Sequence, residues 1–442
     1  MQILVDYIKH NNPEKVAVRC GEVQLSYSQL NTLVEERAKQ FAANKHKAVV
    51  FRCSQDEQFV INYLAIHRAG AVAVPLEKDI PEERYAEIVA SLQNEQFPAD
   101  IADILFTTGT TGTQKGVMIS HRAIIADGEN LIHAQGFTAS THFIISGPLN
   151  HIGSLSKLYP VFMQGGSLTI LQGMKDINAF FTALEQADGH VATFLVPANI
   201  RMLLALSRKQ LKENAHKIEF IETGAAAIFK SDMQQLSDTL PGTRLYNTYA
   251  STETGIIATY DFQQGECVEG CLGKAMKNSS FYISPEGTIV CQGKTLMSGY
   301  VGNPQLTAKV LHDNRLFTTD KATVDAYGQL HLQGRSDDVI NTGGFKVNPL
   351  EVENVAMQIP AIADCVCIPA QHPVMGVVLK LLVVLAPDAQ FNKRAIAQQL
   401  AQQLESYKVP LIYEQVTTIH RTYNGKINRR SYVRSSASLL NN

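Results

Sequence analysis

The 442-residue chain carries no excess of either charge, no long apolar run and no paired-cysteine motif. Thirty-nine Lys and Arg against 41 Asp and Glu leave a formal net charge of −2. That balance supplies no electrostatic footprint for nucleic acid or an anionic membrane. The longest apolar candidate, residues 376–387, reads as a strand interrupted by Lys380 and is too short for a bilayer. The opening MQILVDYIKH puts Asp6 and Lys9 where a secretory leader needs an apolar core. The seven cysteines (Cys20, Cys53, Cys267, Cys271, Cys291, Cys365, Cys367) form neither CxxC nor Cys/His zinc spacing. An odd number without a framework reads as free thiols in a reducing compartment, so a cytoplasmic location is expected. No internal repeat stands out. A composition of 45% hydrophobic and 18% charged residues is that of a globular protein, and the length calls for two or more domains.

What the chain does have is the run TTGTTGTQKG at 107–116, with five threonines, three glycines and Lys115 in ten residues. Glycine lets backbone N–H groups approach a ligand, hydroxyls add donors, and the lysine adds positive charge. The run follows an apolar segment at 101–106 and precedes a helix pattern, an order that suits an anion cradle gripping polyphosphate. It is not a nucleoside-triphosphatase P-loop, because Gly116 and Val117 follow the lysine where that motif needs Ser or Thr.

Elsewhere strand and helix patterns alternate, the signature of an α/β fold. Strands are predicted at 48–53, 72–75, 101–106, 142–146, 167–170, 193–196 and 220–222. Helices are predicted at 58–69, 82–92, 121–135, 154–164, 177–186 and 198–207. From about 265 to 333 helical periodicity stops and short β-rich pieces at 280–283, 288–292 and 329–333 predict a small barrel or sheet. After Gly334 a helix (349–358), two strands (363–369, 377–385) and another helix (393–405) predict a separate α+β domain.

Four other clusters carry chemistry. In YNTYASTETG (246–255), aromatics could stack on a base and Glu253 beside hydroxyls suits a hard cation; a helix N-terminus capped by Ser251 or Thr252 is the competing reading. Asp320, after two threonines, is either a ribose ligand or part of an exposed charged turn, and Asp325–Gly328 reads as a hairpin turn. Gly343 and Gly344 permit a sharp bend or close ligand approach ahead of Pro349 at a helix start. Asn424-Gly425 is a turn signal presenting Lys426 at a loop tip.

Taken in order, these clusters resemble the adenylate-forming superfamily of acyl-CoA synthetases, adenylation domains and luciferases. NPEKVAV (12–18), LSYSQLN (25–31), YLAIHRAGAVAVPLE (63–77), PLNHIGSL (148–155), TGAAAI (223–228), GCLGKA (270–275) and LMSGY (296–300) extend the likeness along essentially the whole chain. Gln114, Thr319 and Asn341 depart from it, standing where members carry proline, glycine and lysine.

The resemblance implies an α/β fold. The large domain (1–334) would hold two flavodoxin-like subdomains and a small β-barrel, followed by a hinge (335–337) and a mobile α+β C-terminal domain (338–442). It implies attack of a carboxylate on ATP to give acyl-AMP, then thioester formation with CoA or a phosphopantetheine arm. By the same resemblance, Thr107, Thr108, Gly109, Thr110, Thr111, Gly112 and Lys115 would hold the phosphates. Gly224, Ala225 and Tyr249 would border adenine, while Asp320 and Arg335 would bind ribose. Thr252 would reach the α-phosphate, Glu253 would position Mg²⁺, and Lys426 would bridge carboxylate and α-phosphate. Asp337, Gly343 and Gly344 would serve the hinge and thiol tunnel. His151, Ile152, Gly153 and Ala226 would line a mostly apolar pocket for an aromatic or medium acyl acid. The expected activity is an AMP-forming acyl- or aryl-acid CoA ligase with ATP, Mg²⁺ and CoA; the alternatives are carrier-protein loading and a non-catalytic nucleotide-binding relative.

Overall fold

The computed structural model describes residues 2–108, 114–335, 338–342, 345–372, 375–422, 427, 429 and 432. Three sheets carry the site and its surroundings. The largest has fourteen strands. Its parallel centre runs through Val16–Cys20, Ser167–Ile170, Thr141–Ile145, His190–Phe194, Ile218–Gly224 and Arg244–Ser251. The ladder then turns antiparallel through Gly255–Asp261 and Cys271–Ala275 into Leu330–Arg335, Arg315–Val324, Thr288–Gly293 and Ser279–Ile283. The β-rich segment, expected as a small barrel or sheet, is joined to the main sheet by a continuous hydrogen-bond ladder.

A five-stranded sheet packs beside it. Ala48–Arg52, Val72–Leu76 and Ile101–Thr108 are parallel, and Gln114–Ser120 and Gly299–Tyr300 complete it antiparallel. Helices between the sheets are started and stopped by local chemistry. Asp56 accepts from the N–H of Gln58 (3.0 Å) to cap Glu57–Arg68, and Ser120 accepts from Ala123 (3.1 Å) to cap His121–Gln135. Gly136, at φ +74°, ends the latter in the left-handed conformation that a β-carbon disfavours. Their apolar stripes join one core that includes Phe59, Leu64, Leu131, Phe162 and Phe220. A buried polar cluster pins helix to sheet: Tyr63 donates to Asp103 (2.8 Å), whose other oxygen lies 2.8 Å from His67 Nε2.

The C-terminal part has its own core, centred on Val352, Cys367, Leu381 and Leu400. There Ile362–His372, Gly376–Leu385 and Ile412–Gln415 form a three-stranded sheet against helices Pro349–Ala356 and Lys393–Ala401. Asp364 accepts from Arg421 (2.7 and 2.8 Å) and lies 3.8 Å from Arg201 on helix Pro197–Leu206, tying this unit to the large sheet's flank.

Several sequence-based expectations need correction. The Thr/Gly run is not followed directly by a helix. Gln114–Ser120 is a strand, antiparallel to Ile101–Thr108 with Thr107 opposite Lys115. Both faces of this strand are covered, Val117 and Ile119 on one and Met118 on the other, which hid its period-2 signature. The helix at 121 starts only beyond this strand. Likewise 246–255 is no helix start: Arg244–Ser251 and Gly255–Asp261 form a hairpin whose turn is held by Ser251–Thr254 hydrogen bonds. The helix expected at 154–164 is two, Ile152–Leu155 and Leu158–Gln164. The strand expected at 193–196 runs His190–Phe194, and a hairpin at Val16–Cys20 and Val23–Ser26 was not anticipated. The turn at Asp325–Gly328 is present, its Asp325 carboxylate accepting from the N–H groups of Tyr327 and Gln329 (both 2.9 Å).

Candidate active site

Two clusters of predicted residues form along the Arg244–Ser251 strand and its turn. At the turn, Glu253 accepts a hydrogen bond from the Tyr300 hydroxyl (3.2 Å), and Lys115 Nζ stands 5.4 Å from the centre of the Tyr300 ring. Lys115 belongs to the five-stranded sheet and Glu253 to the hairpin of the large one. The segment between them makes the connection. Met297 N–H donates to Glu253 C=O (2.9 Å), Ser298 N–H to Met118 C=O (2.8 Å) and Val301 N–H to Gly116 C=O (2.9 Å). Tyr300 pairs with Val117. Burial, with the Glu253 charge next, pushes the Tyr300 hydroxyl well above its ordinary range, so it remains a donor at neutral pH. Thr252 lies half-buried beside Glu253, and Thr107 is half-buried opposite Lys115.

The second cluster lies four residues earlier on the same strand. The buried Tyr249 donates to Asp320 Oδ2 (2.7 Å), and Arg335 Nε lies 3.1 Å from Asp320 Oδ1. Asp320 and Arg335 face each other across the Arg315–Val324 and Leu330–Arg335 ladder, so the sheet register itself makes the pair. Arg335 also donates to Thr319 Oγ1 (3.1 Å), and the Asp320 N–H to Thr318 Oγ1 (3.2 Å). A carboxylate gripped on both oxygens has a fixed orientation at a partly open edge.

The adjoining strand brings Gly224 beside Thr248 in register. A β-carbon at Gly224 would sit 2.8 Å from the Thr248 carbonyl oxygen, so the close approach requires glycine. Ala225 follows at φ +66°, a left-handed conformation for a residue that has a side chain. Strain of this sort is concentrated where geometry matters for function. Of the pocket candidates, His151 precedes the Ile152–Leu155 helix, Ile152 packs on the main core, and Ala226 is half-buried. A β-carbon on Gly153 would lie 3.3 Å from the Phe194 ring.

Sequence reasoning missed Tyr300, Phe194, Lys157 and Glu222. Tyr300 lay inside a quoted motif, but nothing in LMSGY announces its contact with Glu253. Lys157 and Glu222 are each 1% exposed and form an ion pair at 2.6 Å. Their proximity follows from packing a helix end on a strand tail, which no local pattern encodes. Gly109, Thr110, Thr111, Gly112, Asp337, Gly343, Gly344 and Lys426 lie outside the described residues, and Thr108 is described in its backbone only.

The fit to Mg²⁺ is a matter of donors. Among the described residues no group of three or more His, Cys, Asp or Glu side chains could cage a metal. One carboxylate, Glu253, next to hydroxyls suits a cation that keeps waters and phosphate oxygens as its remaining ligands.

Residues 6–93 and 90–301 match the AMP-binding enzyme family, and residues 351–426 match the AMP-binding enzyme C-terminal domain. Among curated relatives, the indoleacetate–CoA ligase of Aromatoleum aromaticum is 26% identical over 448 residues, covering 96% of this chain and 86% of that one. The D-alanine–D-alanyl carrier protein ligase of Staphylococcus haemolyticus is 23% identical, covering 97% of each. Among solved structures, ATP-bound MatB from Rhodopseudomonas palustris superposes with a TM-score of 0.89 over 99% of both chains at 21% identity, a likeness of fold. With both matches in order along most of its length, the chain belongs to the AMP-binding enzyme family.

Proposed function

We propose that this protein is an AMP-forming acid–thiol ligase: it activates a carboxylic acid with ATP as an acyl-adenylate and passes the acyl group to the thiol of CoA. The observation that carries the reading is the Lys115–Tyr300–Glu253 contact. It sets a phosphate-seeking cation and a cation-seeking carboxylate on one aromatic bridge, one strand-turn away from the Tyr249–Asp320–Arg335 cluster. In this reading Thr107, Thr108, Gly109, Thr110, Thr111, Gly112 and Lys115 hold the β- and γ-phosphates. Gly224, Ala225 and Tyr249 border adenine, and Asp320 with Arg335 takes the ribose. Thr252 reaches the α-phosphate. Glu253 holds Mg²⁺, which when bound neutralises phosphate charge. Lys426, carried on the C-terminal domain, stabilises charge developing between carboxylate and α-phosphate. Rotation at 335–337 then withdraws Lys426 and turns Gly343 and Gly344 toward the thiol.

His151, Ile152, Gly153 and Ala226 border an acyl pocket suited to an aromatic or medium-chain acid. The coenzyme A ligase among the relatives supports CoA as acceptor; the carrier-protein ligase, alike over 97% of both chains, supports a carrier phosphopantetheine as the second reading. Seven free thiols, five of them buried, and the absence of any described helix long and apolar enough to cross a membrane fit a cytoplasmic enzyme.

The test is ATP–pyrophosphate exchange across a panel of aryl, acyl and amino acids, followed by thioester formation with CoA or carrier proteins. Aryl or acyl acids should drive exchange, and Lys426→Ala should reduce it about 100-fold or more, as loss of a charge-stabilising donor does elsewhere. Undiminished exchange in that variant, or faster exchange with α-amino acids, overturns the assignment.

A further inference from the structure

Beneath the pocket segments lies a charge pair that no step of the proposed chemistry uses. Lys157 follows the Ile152–Leu155 helix and Glu222 sits two residues before Gly224. Each is 1% exposed, with Nζ 2.6 Å from Oε2. Removing two charges from water costs several kcal/mol per ion, and attraction offsets this well only when their remaining donors and acceptors are also satisfied. An ammonium has three donors and a carboxylate about four acceptor sites. Among the described residues, each of these side chains has the other as its only ion-pair partner and neither makes a side-chain hydrogen bond to a third group. Asp127 is a further acidic group that the Lys157 charge acts on; its burial holds its carboxyl well above the usual range despite that charge, and its Oδ1 accepts from the Ile256 N–H (2.8 Å). Ser156 and Thr223, the sequence neighbours of the pair, are 0% and 1% exposed, and neither hydroxyl has a hydrogen-bond partner among the described residues.

Phe194 lies beside this polar cluster. Its half-buried ring is centred 5.2 Å from Lys157 Nζ. A β-carbon on Gly153 would crowd the ring at 3.3 Å, whereas one on Gly224 would meet it at an ordinary 3.7 Å. The ring is thus flanked by the Gly153 and Gly224 segments, which carry the residues assigned to the acyl pocket and the adenine border.

We infer that the far end of the acid substrate reaches the Lys157–Glu222 pair, and that the pair selects an acid bearing a neutral hydroxyl there. This rests on the proposed ligase reading. A hydroxyl accepts from the ammonium and donates to the carboxylate at once. A second carboxylate would face Glu222, a distal ammonium would face Lys157, and an unsubstituted ring would leave the pair's spare donors and acceptors unmet.

The experiment is ATP–pyrophosphate exchange by the full chain with matched aryl acids: the parent ring, its hydroxyl derivative, the methyl ether, and derivatives carrying a second carboxylate or an amine that is protonated. In the best-fitting set, kcat/KM for the hydroxyl acid should exceed that for the parent about tenfold or more, because a site with buried polar groups discriminates strongly against an analogue that leaves them unpaired. The methyl ether keeps the oxygen but loses the donor, and should fall to the parent's level or below. In the double variant Lys157→Met, Glu222→Leu the hydroxyl-to-parent ratio should fall to within about threefold of one. Equal use of parent and hydroxyl acids, an ether as good as the hydroxyl, or a preference that survives in the double variant overturns the inference while leaving the ligase reading standing. Exchange with no carboxylic acid at all overturns both.

Discussion

Replacing Tyr300 with phenylalanine removes one oxygen from the place where the two large sheets exchange their functional groups. The hydroxyl donates to Glu253 at 3.2 Å, and the ring lies under the Lys115 ammonium at 5.4 Å. Hydrogen bonds to a charged group contribute about 1.5–3 kcal/mol; a long one at a half-buried site belongs at or slightly below the low end, about 1–1.5 kcal/mol. Since 1.4 kcal/mol is tenfold, Tyr300→Phe should lower kcat/KM for ATP about 5–15-fold. Tyr300→Leu also removes the aromatic face, worth about 0.5–1 kcal/mol at a partly exposed site, and should cost a further two- to fivefold. Folding should survive both, because the pairing of residue 300 with Val117 is made by main chain. Pyrophosphate exchange with ATP and Mg²⁺ varied separately at a saturating acid reads the effect. Because the Tyr300 hydroxyl is pushed above its ordinary range by burial and by Glu253, the loss should not vary between pH 7 and 9. A Phe variant indistinguishable from wild type, or a Leu variant no worse than Phe, would refute the bridging role.

Two further outcomes follow from buried or strained residues. Ala225 sits at φ +66°, so Ala225→Gly should leave stability unchanged or raise it by up to about 1 kcal/mol, while Ala225→Val should lower it by about 1–2 kcal/mol in urea unfolding; the opposite order would sink the argument. Burial pushes His121 down to about 3 and His142 down to about 4, from 6.5. Between those values and 6.5 the unfolded chain binds protons that the folded chain refuses, so each histidine contributes stability that is present above pH 6.5 and lost on acidification. From pH 7 to 5, wild type should lose about 2 kcal/mol relative to His121→Phe, and a similar amount relative to His142→Gln; a difference independent of pH would count against both.

How much of this was legible depends on the range over which each contact acts. Helices 121–135 and 177–186 were predicted with the bounds observed, because their caps, apolar stripes and terminators lie within one sequence window: Ser120 and Gly136 for the first, Asp176 for the second. Gln114–Ser120 was missed because a strand buried on both faces loses the alternation that identifies strands in a half-exposed sheet. The 246–255 segment misled for a related reason. Ser and Thr ahead of Glu fit a helix cap, yet the same hydroxyls close a hairpin turn, Ser251 and Thr254 bonding to one another (3.0 Å). The split at Ser156–Lys157 was equally hidden, since the two short helices on either side share one apolar character.

The site divides in the same way. Asp320 and Arg335 could be singled out by residue type, and a hairpin predicted from Asp325–Gly328 brings their strands together, but it is a register shift between Lys321 and Ala322 that sets the two opposite each other. Lys115 and Glu253 were also singled out, but their meeting depends on a third chain segment, 296–301, laying its main chain across both sheets. Hydrogen bonds from Met297 to Glu253 and from Val301 to Gly116 fix the separation of the two charged groups by backbone geometry, independently of side-chain identity in between. Such a clamp leaves no residue-type signature except at the single point where a side chain, Tyr300, fills the gap. The Lys157–Glu222 pair is the extreme case, joining residues 65 positions apart that are individually unremarkable in sequence. A buried ion pair does not improve packing over hydrophobic residues of equal volume. Beside Phe194, the pair is accounted for by the hydroxyl it would recognise, and the acid that satisfies it would identify the substrate more sharply than family membership does.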